Sequence, residues 1–183
     1  MLIKRFILSF IFLTICTFSY SLETALQVIQ FDPINENVNT ASYLIEDGIF
    51  DFFFSKGMIV SNVPCMTISD SSFLSEESLF ETDAVGKAKI SSLNEAETGG
   101  CEYLIIVLAE YTVSDRDTIC YAQWELWDVN NRKCISNETG NPSSLGNKSK
   151  TKRVKNKFIA NEVSDFAFEL AQKVYSSIKA NEQ

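Results

Sequence analysis

Four cysteines, Cys65, Cys101, Cys120 and Cys134, and a few close carboxylates are the side chains outside the N-terminal segment best suited to reactive chemistry. No histidine occurs among the 183 residues, so the usual general base near neutral pH is missing. A Ser–His–Asp or Cys–His arrangement cannot be built. The cysteines form no CxxC pair, and zinc would need all four of them, or carboxylates, at spacings unlike the usual knuckles. Glu46 with Asp47 is expected on a helix face, and Asp115 with Asp117 in a turn. Both pairs read as solvated acids rather than a glycosidase pair, and Asp115 with Asp117 lacks the full calcium-loop pattern. Gly99-Gly100 precedes a strand, the reverse of the order a phosphate loop needs. We therefore expect no catalytic residue, no cofactor and no metal site.

Two features suit binding instead. Lys148, Lys150, Lys152, Arg153, Lys155 and Lys157 form a run of cations, whereas residues 22–147 hold 20 acids against 6 bases, a balance of −14. Such a run suits anionic lipid headgroups, an acidic partner or simple solvation. The second feature is the aromatic side of a strand, Tyr121 and Trp127. Large aromatics with polar neighbours are common at binding surfaces, unless the domain's own loops cover them.

The elements that must position these residues follow from periodicity. ALQVIQFDPI (25–34) reads as a buried strand ended by Pro33. ASYLIEDGIFDFFFSKG reads as a helix capped at Asn39 or Thr40, with Leu44, Ile45, Ile49, Phe52 and Phe53 on one face and Gly57 at its C-cap. MIVSNV (58–63) is a short strand. Ser78 with Glu81, and Ser92 with Glu95, match capping boxes, which predicts two short helices over 78–88 and 92–98. CEYLIIVLAEYTV (101–113) is apolar on both faces and belongs centrally in a sheet. TICYAQWELWDV (118–129) alternates, with Cys120, Ala122, Trp124 and Leu126 on one face. Paired with 101–113 across a tight turn, it places Trp127 opposite Leu104 and Tyr121 opposite Glu110. Asn130-Asn131 suits a two-residue turn into a third strand, 132–138. The last element is a helix with Ile159, Val163, Phe166, Ala167, Leu170, Ala171, Val174 and Ile178 in one apolar stripe. The expected fold is an α/β (α+β) two-layer sandwich: a mixed sheet with a three-strand antiparallel meander, and helices packed on one face.

At the N-terminus, Lys4 and Arg5 precede an apolar run from Phe6 to Phe18, and Ser19 and Ser21 flank a cut before Leu22. This is the pattern of a cleavable signal peptide over residues 1–21. The run is shorter than the roughly 20 residues a membrane span needs. Cys16 as a lipidated first residue is the variant reading, although Ile15 stands where such signals place a small residue. Residues 22–183 then form a single domain with a basic flexible loop at 140–157, located in the periplasm or secreted. The net charge of −8 argues against nucleic acid as a partner. The four remaining cysteines permit two disulfides with three connectivities, or buried free thiols.

GGCEYLIIV followed by YAQWELWDVNNRKCIS resembles a pattern of bacterial envelope proteins. These are the curli-secretion lipoproteins, the lipoprotein activators of penicillin-binding proteins, and the TolB amino-terminal domain. Gly100, Glu102 and Tyr103 carry the first part, and Leu126, Asp128 and Val129 the second. VIQFDPI and FFSKGMIVSN are similar to the opening strand and the passage into the second strand. The resemblance implies an exported, non-catalytic envelope domain that binds another envelope protein. A carrier of a small apolar or glycan ligand is the alternative, and a carboxylate- or cysteine-based hydrolase the third reading.

Overall fold

A computed structural model describes residues 23–31, 40–68, 83–112, 115–140 and 157–182, with backbone alone at 110–112, 115–121, 139–140 and 157–162. Its strands are β1 (Glu23–Phe31), β2 (Ile59–Ile68), β3 (Tyr103–Thr112), β4 (Asp115–Asp128) and β5 (Lys133–Gly140). Its helices are α1 (Thr40–Ser55), α2 (Asp83–Thr98) and α3 (Lys157–Asn181). The strands form one sheet in the order β2-β1-β3-β4-β5. β1 runs parallel to β2 and β3, and β3, β4 and β5 are antiparallel neighbours. The α/β sandwich, the mixed sheet and the meander are therefore as expected. So is the register, with Leu104 opposite Trp127 and Glu110 opposite Tyr121.

The sandwich gains a layer beyond the expected two, because the helices do not all share one face. α1 and α3 cover one side, packing Ile45, Ile49, Phe53, Phe166 and Leu170 onto Leu26, Ile105, Val107, Trp124 and Leu126. α2 covers the other side, with Val85, Ala88, Leu93 and Ala96 against Ile29, Leu104, Ile106 and Leu108. Chain direction explains the split. Parallel crossovers are right-handed in nearly all proteins. β1 to β2 moves one way across the sheet, and β2 to β3 moves back past β1. One handedness then sends α1 and α2 to opposite faces. β3 is buried on both, which is why its sequence lacks alternation.

Local chemistry sets several boundaries. Gly57 (φ 73°) ends α1, with its N–H on the Phe54 carbonyl and the Met58 N–H on that of Phe53. Gly100 (φ 76°) ends α2 the same way through Glu97 and Ala96. Only a residue free of Cβ strain takes this left-handed cap readily. The two short helices expected over 78–98 are corrected to one helix from Asp83. Ser92 is not a cap: its buried hydroxyl donates to the Ala88 carbonyl one turn back, at 2.8 Å. The Ser78 and Glu81 pair lies outside the described residues. β2 runs on through Pro64, which an edge strand tolerates because its outer side needs no donor. The β4–β5 turn spans Val129–Arg132 rather than two asparagines. Asp128 accepts from the Asn131 backbone and side-chain N–H groups, at 2.9 and 2.8 Å, and the positive φ (48°) falls on Arg132.

Candidate functional site

β5 forms one edge of the sheet, and α3 passes over it without packing tightly on it. Two polar links join them. Lys173 Nζ donates to both Glu138 carboxylate oxygens at 2.6 Å, and the Ser177 hydroxyl donates to Ser136 Oγ at 3.3 Å. Register explains the first link: Glu138 sits opposite Trp124, on the face that α3 covers. Between helix and strand lies an open groove of about 650 Å³. Trp124 floors it, Ser136, Asn137 and Glu138 form one wall, and Glu169, Lys173 and Ser176 are among the residues of the other. Trp124 is only 6% exposed, so it belongs mostly to the core. The ion pair is far more open, with side chains 40% and 39% exposed, and such a pair contributes about 0.2–1 kcal/mol. Glu169 makes no hydrogen bond or ion pair with the described residues.

A second polar cluster lies on the α2 side. Trp127 Nε1 donates to Glu125 Oε2 at 2.6 Å, and Lys89 Nζ stands 3.1 Å from that oxygen and 5.0 Å from the centre of the Trp127 ring. Trp127 is thus half-buried, packed against the second core and held by α2. Tyr121 keeps its register position, but its side chain lies outside the described residues. Lys148, Lys150, Lys152, Arg153 and Lys155 also lie outside them, and of Lys157 only the backbone at the start of α3 is described. The groove residues Glu138, Glu169 and Lys173 were missed by sequence reasoning. They flank apolar stripes and read there as solvated positions; only alternation in β5 offered a signal for Glu138.

Cys65, Cys101 and Cys134 are free thiols. Burial, reinforced by the charge of Glu46 and opposed by a hydrogen bond with Ser42, pushes Cys65 up to about 12. Burial also raises Cys101 and Cys134. Because the thiolate is the reactive form, all three are poor nucleophiles at neutral pH. Glu46 is 4% exposed, and its Oε1 has no hydrogen-bond partner. Burial first, then the neighbouring Asp47, lifts its carboxyl above the ordinary range. Among the described residues, no three side chains of His, Cys, Asp or Glu converge as a metal site would require.

No helix among the described residues is long and apolar enough to cross a membrane. A family profile described as "Uncharacterised protein" matches residues 23–178. The chain belongs to that family. No curated protein matches it. Several solved structures are similar to it, among them members of the envelope group its sequence resembled. TolB from Acinetobacter baumannii matches at 11% identity and a TM-score of 0.39, over 86% of this chain and 29% of that one. Lipoprotein GNA1162 from Neisseria meningitidis matches at 12% identity and a TM-score of 0.43, over 82% of this chain and 96% of that one. The LpoB C-terminal domain from Salmonella enterica matches at 13% identity and a TM-score of 0.32, over 67% of this chain and 84% of that one. This chain spans less than a third of the TolB chain's length.

Proposed function

We propose that this chain is an exported, non-catalytic domain of the cell envelope that binds another envelope protein. The groove at the β5 edge of the sheet carries this reading. Small-molecule sites are mostly apolar concavities that enclose the ligand. This groove is open and walled by hydroxyls, amides and charges, with an edge strand along one side. That shape suits a macromolecular surface better than a carrier's pocket. The absence of histidine and the raised thiols support the non-catalytic part, and the signal pattern supports export. The cations from Lys148 to Lys157 enter the proposal as a peripheral contact with anionic lipid, and Tyr121 and Trp127 as further contact residues.

The test is photo-crosslinking of the whole chain, made with its own N-terminus in the source cells. A photoreactive residue replaces Asn137 at the groove or Phe54 on α1, which is 83% exposed. The expected result is a product beginning at Leu22 and an adduct with an exported protein. A chain retained full-length in the cytoplasm, or one giving no adduct from either position, would overturn the proposal.

A further inference from the structure

We infer that β5 is a strand-addition site: its outer edge pairs with an extended segment of the partner that carries a lysine or arginine reaching Glu169. The inference rests on the docking reading above and names the part of the partner that is recognised.

The two sheet edges are not equivalent. Native proteins shield exposed edges with proline, bulges or cover, because open main-chain groups recruit other strands. β2 is shielded in this way. Pro64 removes a main-chain donor from it, and its register against β1 shifts between Gln27 and Ile29. β5 contains no proline; its one register shift against β4 falls near its start, between Ser136 and Cys134, and from Ser136 to Gly140 the pairing runs unbroken. Among the described residues, its backbone bonds only to β4. Every second main-chain N–H and C=O along it therefore points away from the sheet, with no partner among the described residues.

The groove beside that edge selects the chemistry of the incoming strand. Alternate side chains of an added strand point to the face that α3 covers, and there they meet Glu138, Glu169, Lys173 and Ser176. The Lys173 ammonium is already engaged by both oxygens of Glu138. Among the described residues no cation pairs with Glu169, so the lining of the groove carries one net negative charge, in a chain whose net charge is −8. A cation on the incoming strand is the complement. An acidic strand meets repulsion, and a second copy of this acidic chain is disfavoured by the same field.

Nine-residue peptides selected from a random displayed library against the whole chain provide the probe. The selected peptides are expected to share a Lys or Arg at one position and to slow deuterium exchange at residues 136–140. N-methylating alternate peptide amides should abolish binding. Glu169→Lys should weaken binding by about tenfold or more, the scale of one close charge pair, with an unchanged melting temperature. Selection of no binder, equal binding after N-methylation, no protection of 136–140, or no effect of Glu169→Lys would each overturn the inference. Adducts from Asn137 that join two copies of this chain would overturn it in favour of self-association. Exported adducts from Phe54 but none from Asn137 would overturn the strand site while leaving the envelope-partner reading intact.

Discussion

Gly48 of α1 lies in close contact with α3, and that contact can be tested by moving a single methyl group. A Cβ built at Gly48 falls 2.7 Å from the Cβ of Ala167, about 0.7 Å inside the 3.4 Å at which ordinary contact begins. Both atoms are fixed to helix backbone, so no side-chain rotation relieves the overlap and the helices themselves must separate. Overpacking of this kind costs about 1–3 kcal/mol, while alanine for glycine in a helix returns up to about 1 kcal/mol. Gly48→Ala should therefore destabilise by about 1 kcal/mol. Ala167→Gly should cost about 2 kcal/mol, from lost helix propensity and one lost buried methyl. In the double variant the overlap disappears, so its cost should fall below the sum of the two by about 1–3 kcal/mol, the overlap energy itself. Urea melts of the four proteins measure this cycle. Additivity to within about 0.5 kcal/mol, or a Gly48→Ala protein stabilised by the full propensity gain, would refute the close helix contact.

Trp124→Ala should cost about 3–5 kcal/mol, as it empties a site beneath α3. Trp127→Ala should cost clearly less because that ring is only partly buried at the margin of the second core, and urea melts in the reverse order would refute this assignment of the two rings. The raised carboxyl of Glu46 means that the folded state prefers its protonated form. Stability should fall as pH climbs from the unfolded carboxylate's pKa through the folded one, and stay reduced above it. Glu46→Gln should then stabilise the protein at neutral pH and flatten that dependence, which thermal melts across acidic to neutral pH would show. Changing the six basic residues from Lys148 to Lys157 to Gln should weaken association with anionic vesicles at low salt and leave the melting temperature unchanged. Equal co-sedimentation of the variant would remove that stretch from any functional account.

The sequence was sufficient wherever the decisive interactions are local or periodic. The apolar stripe from Val163 to Ile178 is buried as expected, because 3.6-residue spacing forces one face inward whatever covers it. Gly57 caps α1 because the left-handed turn is a property of the residue itself. The β3–β4 register followed from matching the faces of two adjacent strands across a short turn. The lack of histidine needed no structure at all. Tertiary structure alone decided the side to which α2 goes, since that depends on the direction of strand-to-strand travel. It turned Ser92 from an apparent cap into a hydroxyl bonded inside one helix, and placed Trp127 under α2 beside Lys89. The groove was not legible: Glu138 and Lys173 lie 35 residues apart, and each looks like an ordinary solvated position on its own element. Their meeting depends on where α3 crosses the sheet, which is a matter of tertiary packing, including the close approach at Gly48 and Ala167, and not of any pattern along the chain.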